Sequence, residues 1–187
     1  MYAGHLDLTQ PLVWTVDGAL SPADCDAYIE RIRTGHAEIA PIVGEDGEPE
    51  VDLEVRNNTR VMWDDAAEAD GLVARVAPHV PKLLMGMKLA GGNPRIRLYR
   101  YGPGEQHGAH WDTVVHLDGG VRSLVTLVFY LNDDFEGGET DFPELERRIT
   151  PGRGRALLFQ HRILHIASQV ARGEKFVLRT DILYSPG

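Results

Sequence analysis

The second half of the chain is dominated by short β-rich segments, which constrain the possible folds more than any other feature of the sequence. The segments are RIRLYRY, SLVTLVFYL, RALLFQ and KFVLRTDILY. They are separated by turn sequences at GPGE, NDDFEGGE, TPGRG and ARGE. Because no helical pattern lies between them, the order favours an antiparallel sandwich or barrel over a parallel sheet.

Two helical patterns precede these segments. Ser21 is a predicted N-cap, with Pro22 at the first helical position, Asp24 completing a capping box and Gly35 at the helix end. A second pattern covers residues 66–80, where apolar residues recur at helical spacing. The sequence therefore predicts an α+β fold in which two helices support a β core.

The length and composition of the chain limit its domain organisation and the classes of molecule that it can bind. A chain of 187 residues suits one domain, with a support region over about residues 1–94 and a catalytic core over about 95–187. The net charge of −9 argues against a phosphate-binding face, so no nucleic-acid partner is expected. Cys25 is the single cysteine, which excludes an internal disulfide and a cysteine-based metal site, and it is expected in the core.

The sequence contains no recognisable targeting signal. MYAGHLDLTQ lacks the charged and apolar regions of a signal peptide, and no apolar run approaches the roughly 20 residues that span a bilayer. We therefore expect a cytoplasmic protein without membrane contact. The sequence does not indicate an oligomeric state.

The tripeptide His110-Trp111-Asp112 is the first candidate for chemistry. Positions two apart in a strand project to the same face, so His110 and Asp112 can hold one ion together. His165, at the end of a later β segment, is the candidate third ligand. Two histidines and one carboxylate form the facial triad of non-heme Fe(II) oxygenases and leave coordination positions open for substrates.

Three further residues are candidates for binding the metal or its co-substrate: His107, His161 and Lys175. His107 lies three positions before His110 and is predicted on the opposite strand face. His161 lies four positions before His165, a spacing that would pair two ligands on a helix, but the preceding RALLFQ is predicted as a strand. Neither histidine is expected to bind metal. Lys175 follows His165 by ten residues. It is either a solvated lysine at a strand start or a buried cation that pairs with the far carboxylate of 2-oxoglutarate.

Residues 95–184 carry several motifs in a specific order. RYGPGEQHGAHWD is followed by RSLVTLVFYLN, FEGGETDFPE, ITPGRGRALLF and finally H-x4-V-x2-G-x-K. This half of the chain resembles the prolyl-4-hydroxylase-like branch of the 2-oxoglutarate- and iron(II)-dependent oxygenases. The resemblance implies a double-stranded β-helix core (a jelly-roll, cupin-like fold) with the metal near one open end.

The resemblance also assigns roles to individual residues. It implies that iron is bound by His110, Asp112 and His165. It implies that 2-oxoglutarate is held by Lys175, Tyr130, Thr126 and Tyr101. Strand alternation independently places Thr126 and Tyr130 on one face of their segment.

Two arginine features leave alternatives open. Arg179 shares a strand face with Lys175, so it is a candidate cofactor-binding residue that replaces Lys175 as the carboxylate anchor, meets an anionic substrate group or forms a salt bridge. Residues 56–60 (RNNTR) form either part of a substrate lid or a loop with capping asparagines.

The implied activity is that of a 2-oxoglutarate-dependent dioxygenase with Fe(II), 2-oxoglutarate and O2. It would hydroxylate an unactivated C–H bond of an amino-acid, peptidyl (prolyl-like) or small-metabolite substrate and release succinate and CO2. Arg179 or the arginines of residues 56–60 would then meet a substrate carboxylate. The alternatives are a cupin-like metalloenzyme that does not use 2-oxoglutarate and a catalytically idle jelly-roll binding module.

Overall fold

The computed structural model of the protein describes residues 6–43 and 48–187. Helix α1 spans Pro22–Thr34 and α2 spans Ala66–Val76. Single 3-10 turns lie at Ala77–His79, Asp118–Gly120 and Pro143–Leu145.

The strands form antiparallel pairs throughout the described residues. In chain order they are β1 (Val13–Val16), β2 (Glu38–Ile39), β3 (Ile42–Val43), β4 (Pro49–Glu50), β5 (Thr59–Asp64), β6 (Leu83–Leu84), β7 (Met87–Gly92), β8 (Arg95–Tyr101), β9 (His107–His110), β10 (Arg122–Tyr130), β11 (Glu136–Gly137), β12 (Thr140–Phe142), β13 (Arg147–Ile149), β14 (Ala156–Gln160), β15 (His165–Ala167), β16 (Val170–Arg172) and β17 (Lys175–Ser185).

Two sheets organise the molecule. The large sheet has the order β1-β14-β10-β17-β8-β5-β2, and β7 pairs with the part of β17 that β8 leaves free. The smaller sheet has the order β13-β12-β15-β9. The long strand β17 is central, since it pairs with β10 along one edge and with β8 and β7 along the other.

Alternation along the large sheet produces two apolar clusters, because successive side chains point to opposite faces. Leu98, Leu127 and Leu178 share one cluster with Leu72 of α2 and with Cys25 of α1, which is fully buried as expected. The other cluster lies between the sheets. It contains Tyr99, Tyr130, Val177, Phe142 and Ile163.

The helix boundaries follow local chemistry. Ser21 and Asp24 form the predicted capping box at the start of α1. Gly35 ends α1 with φ −81°, so it does not use the left-handed conformation typical of a terminal glycine. A Cβ at Gly35 would instead lie 2.9 Å from the Arg31 carbonyl oxygen. The helix predicted over 66–80 ends at Val76 and continues as a 3-10 turn to His79.

Within the described ranges, every helix is too short or too polar to cross a membrane.

Candidate metal centre and adjoining cavities

The predicted triad comes together in space. One ligand atom each from His110, Asp112 and His165 lies within 4.8 Å of the others. His110 ends β9, His165 begins β15, and the two are direct partners in the strand register. Asp112 lies beyond the end of β9, so the strand alternation invoked for its placement does not apply.

Two side chains of the large sheet hold Asp112 in this position. The Thr126 hydroxyl donates a hydrogen bond to Oδ2 at 2.6 Å, and Arg179 Nη2 lies 2.9 Å from Oδ1. Burial alone would raise the pKa of Asp112, but the Arg179 guanidinium holds that pKa well below its usual range. Asp112 is therefore an ionised carboxylate.

Backbone carbonyls set the protonation of both histidines. Nδ1 of His110 lies 2.7 Å from the Gly108 oxygen, and Nδ1 of His165 lies 3.0 Å from the Ile163 oxygen. Because a carbonyl only accepts, each Nδ1 carries the proton and each Nε2 presents a lone pair. The Nε2 atoms lie 3.9 and 3.7 Å from the Asp112 carboxylate. Burial lowers the pKa of His110 to about 3 and also lowers that of His165. Two neutral imidazoles and one carboxylate suit a divalent transition metal.

The prediction that His107 faces away from His110 is wrong. The two rings stack with centroids 3.5 Å apart and planes 17° apart. His165 pairs with His110 while Ala167 pairs with His107, so four residues of β9 oppose three of β15. This β-bulge shifts the side-chain alternation by one residue and turns His107 to the face of His110. His107 remains outside the triad of mutually close ligand atoms.

His161 follows β14 in a turn and is buried. Its backbone N–H donates to the Leu124 oxygen, and its side chain is not part of the triad.

An inner cavity extends from the triad into the space between the sheets. All of the residues predicted to bind 2-oxoglutarate line it: Lys175, Tyr130, Thr126, Tyr101 and Arg179. Apolar residues contribute to its walls: Val128, Leu157, Phe159 and Val177.

Lys175 is a buried lining residue of this cavity. Its Nζ donates to the Gly138 oxygen at 2.7 Å and lies 5.0 Å from the Tyr101 ring centroid and 5.6 Å from that of Tyr130. No carboxylate in the described ranges forms an ion pair with it. Burial lowers the pKa of Lys175 to about 7, although Glu139 acts in the opposite direction. The site is thus suited to an anionic ligand group.

Arg179 occupies a different place from Lys175. It bridges Asp112 at 2.9 Å and Asp181 at 3.2 Å, and it lines both the inner cavity and a wider outer cavity. Of the alternatives left open by the sequence, the structure has the salt bridge, with Asp181 and the triad carboxylate as partners.

The two arginines of residues 56–60 differ in their surroundings. Arg56 is buried, donates to Asn58 and Pro41, and lines both cavities. Arg60 is paired with Glu38 at 2.9 Å.

Arg97 and Tyr99 were not predicted as site residues, yet both line the outer cavity. The signal was present in RIRLYRY. Tyr101 had been selected from this segment, and the alternation of a strand places Tyr99 and Arg97 on the same face.

Comparison with known proteins agrees with these features. Residues 96–180 match the family model described as the 2OG-Fe(II) oxygenase superfamily. The matched region contains His110, Asp112, His165 and Lys175. The chain is 25% identical over 197 residues to the Arabidopsis thaliana protein named "Probable prolyl 4-hydroxylase 7"; the match covers 89% of this chain and 60% of that relative.

Two solved structures share the fold of this chain. The viral collagen prolyl hydroxylase of Paramecium bursaria Chlorella virus-1, solved as a 2OG complex, has a TM-score of 0.64 at 22% identity and covers 94% of this chain and 97% of its own. A Pseudomonas putida prolyl-4-hydroxylase has a TM-score of 0.65 at 20% identity and covers 94% of each chain. The shared fold confirms the predicted α+β architecture with a jelly-roll core.

Proposed function

We propose that the protein is an Fe(II)- and 2-oxoglutarate-dependent dioxygenase that hydroxylates an unactivated C–H bond. The observation that carries the proposal is that a candidate metal site and a buried cation occur in one cavity. The triad of His110, Asp112 and His165 and the buried cation Lys175 line the same inner cavity.

His110, Asp112 and His165 would hold the iron, because they offer two imidazole lone pairs and one ionised carboxylate. When bound, Fe(II) and 2-oxoglutarate activate O2 and couple formation of succinate and CO2 to hydroxylation of the substrate. Thr126 and Arg179 keep the Asp112 carboxylate in place through contacts of 2.6 and 2.9 Å.

Lys175 would bind the far carboxylate of 2-oxoglutarate with a charge-assisted hydrogen bond. The Tyr130 hydroxyl, 2.7 Å from that of Thr140, lines the same cavity and offers a further hydrogen bond. The apolar walls exclude water, which strengthens these electrostatic contacts and protects the reaction from solvent.

The outer cavity would receive the substrate. Its volume is about 720 Å³, and it shares His107, His110, Asp112 and Arg179 with the inner cavity. This volume is within the roughly 300–1,000 Å³ of small-molecule sites. Since a collagen prolyl hydroxylase is among the proteins of similar fold, a peptidyl or free prolyl-like substrate is the first class to test.

The decisive test combines binding with turnover. Mn(II) and 2-oxoglutarate together should raise the Tm of the protein, and Fe(II)-loaded protein should release succinate from 2-oxoglutarate. Asp112→Ala should lose both effects, whereas His116→Ala, at an exposed position outside the triad, should keep them.

Two results would contradict the proposal. Metal binding without any effect of 2-oxoglutarate would favour a cupin-like metalloenzyme. Absence of metal binding would favour an idle binding module.

A further inference from the structure

The outer cavity is unusually rich in arginine. Five arginines line it: Arg56, Arg60, Arg95, Arg97 and Arg179. Two of them are neutralised, since Arg60 pairs with Glu38 and Arg95 pairs with Asp64, each at 2.9 Å. The other three are Arg56, Arg97 and Arg179.

Arg97 and Arg179 are placed against each other by the sheet. They are direct partners in the register of β8 and β17. Like charges in directly opposed positions of a strand pair are destabilising. The β-sheet therefore holds these two cations together at an energetic cost, which a bound anion would reduce.

The described residues supply too few hydrogen-bond acceptors for the guanidinium groups of Arg97 and Arg179. Asp181 already accepts from Arg179 at 3.2 Å and from Asn93 at 3.0 Å, and it lies 3.8 Å from Arg97 Nη1. Nη1 of Arg97 and Nε of Arg179 are buried without a hydrogen-bond partner in the part of the chain that the structure describes.

Arg56 adds a third guanidinium to this group. Its Cζ lies 4.9 Å from the ring centroid of Tyr99, which is the next residue on the cavity face of β8 after Arg97. Burial would raise the pKa of Tyr99, yet Arg56, Arg179 and Arg97 hold that pKa below its usual range. The region around Tyr99 therefore has a positive potential.

The residues that line the two cavities also carry a net positive charge. Apart from the two neutralised pairs, the described lining residues carry four cations (Arg56, Arg97, Lys175 and Arg179) and two carboxylates (Asp112 and Asp181). Fe(II) and the 2-oxoglutarate dianion add equal and opposite charge. Two positive charges therefore remain when both are bound.

We propose that the outer cavity binds the substrate through a carboxylate held by Arg97 and Arg56. The guanidinium fork matches the two oxygens of a carboxylate. Exposed apolar side chains at the cavity, Trp111 and Met62, would cover the uncharged part of the substrate. The carboxylate belongs to a free amino acid or to a peptide C-terminus. This inference rests on the proposed oxygenase function, whose substrate class it names.

The test uses the proteinogenic L-amino acids and tripeptides ending in each of them, every probe in acid and carboxamide form. Dissociation constants are measured by calorimetry on protein loaded with Mn(II) and 2-oxoglutarate, and succinate release is measured on Fe(II)-loaded protein. We expect at least one acid to bind at least about 10-fold more tightly than its carboxamide. Whether amino acids or tripeptides show this preference distinguishes the two sources of the carboxylate.

Variants assign the preference to Arg97. Arg97→Gln should remove the preference for the acid, Arg97→Lys should retain part of it, and neither should change the Kd for 2-oxoglutarate. Arg100→Gln is the matched control, because Arg100 lies on the opposite face of β8 and pairs with Glu174 at 2.7 Å.

Three outcomes would overturn the inference: equal binding of acids and carboxamides, no binding of any probe, or an undiminished preference in Arg97→Gln. A failure of the oxygenase function itself looks different. In that case the wild-type protein shows neither stabilisation by Mn(II) with 2-oxoglutarate nor succinate release.

Discussion

At the scale of single residues, the ammonium group of Lys175 combines deep burial with a single hydrogen bond to Gly138. Burial lowers the pKa of Lys175 to about 7. The lysine is therefore only partly protonated near neutral pH, and a carboxylate beside it would raise its pKa again.

This linkage predicts a pH dependence of 2-oxoglutarate affinity. The carboxylate binds the protonated lysine, so affinity is fully present below pH 7 and falls as the pH rises above the pKa of the free site, by up to about 10-fold per pH unit. Calorimetry on Mn(II)-loaded protein from pH 6 to pH 9 would measure both the affinity and the proton uptake. Lys175→Arg keeps its charge throughout this range and should show a much flatter profile. A wild-type affinity that is constant with pH would refute the assignment.

Arg179 offers a second prediction at this scale. Because it holds Asp112 at 2.9 Å, Arg179→Gln should weaken Mn(II) binding by about 10-fold through loss of carboxylate orientation. Arg179→Lys should restore part of the affinity. Electron paramagnetic resonance of Mn(II) measures both values. An increase in affinity would mean that charge repulsion between the guanidinium and the metal outweighs orientation.

At the scale of elements, regular strands were more predictable than irregular ones. Alternation correctly placed Thr126 with Tyr130 on one face of β10 and Lys175 with Arg179 on one face of β17, because both strands are paired along most of their length. The bulge in β9 reversed the expectation for His107, since an extra residue in a strand leaves no distinct signal in the sequence. The proximity of the two positively charged residues Arg97 and Arg179 depends on the register of β8 and β17, which a single sequence does not specify.

The glycine-rich turn after β11 gives a prediction for an element. Gly138 has φ +70°, and a Cβ there would lie 3.1 Å from Cδ of Lys175 and 2.9 Å from the Phe135 ring. Gly138→Ala should therefore weaken 2-oxoglutarate binding by about 10-fold in addition to costing roughly 1–2 kcal/mol of stability. Gly104→Ala is the matched control, with φ +83° and open space around the added carbon. It should lose similar stability without loss of affinity. Equal affinities in the two variants would argue against a role of this turn in positioning Lys175.

At the scale of the whole molecule, the two apolar clusters differ in their position relative to the ligand site, so we expect one to affect stability alone and the other to affect ligand binding as well. The cluster between the large sheet and the helices contains Leu72, which is buried and lines neither cavity. The cluster between the sheets contains Phe159, whose ring centroid lies 4.6 Å from that of His165.

Substitutions in the two clusters should therefore separate stability from binding. Leu72→Ala should lower the free energy of unfolding by about 2–5 kcal/mol and leave the affinity for Mn(II) and 2-oxoglutarate unchanged. Phe159→Leu should cost about 1 kcal/mol and yet weaken both affinities, because it alters the support of His165. Denaturant unfolding and calorimetry on the same preparations would test this. If affinity followed stability in both variants, the two clusters would not be independent.

The walls of the two cavities differ in origin, and this difference has a consequence for how such proteins diversify. Paired strands of the large sheet supply much of the inner wall, whereas connecting residues supply much of the outer wall: Pro41, Ile42, Pro49, Val55, Trp111, Thr113 and Val115. Substitution of these residues, with Asp112 between them kept, would change the shape offered to a target molecule and leave the metal triad intact. A combinatorial library confined to them is thus a direct route to new substrate preferences in this scaffold.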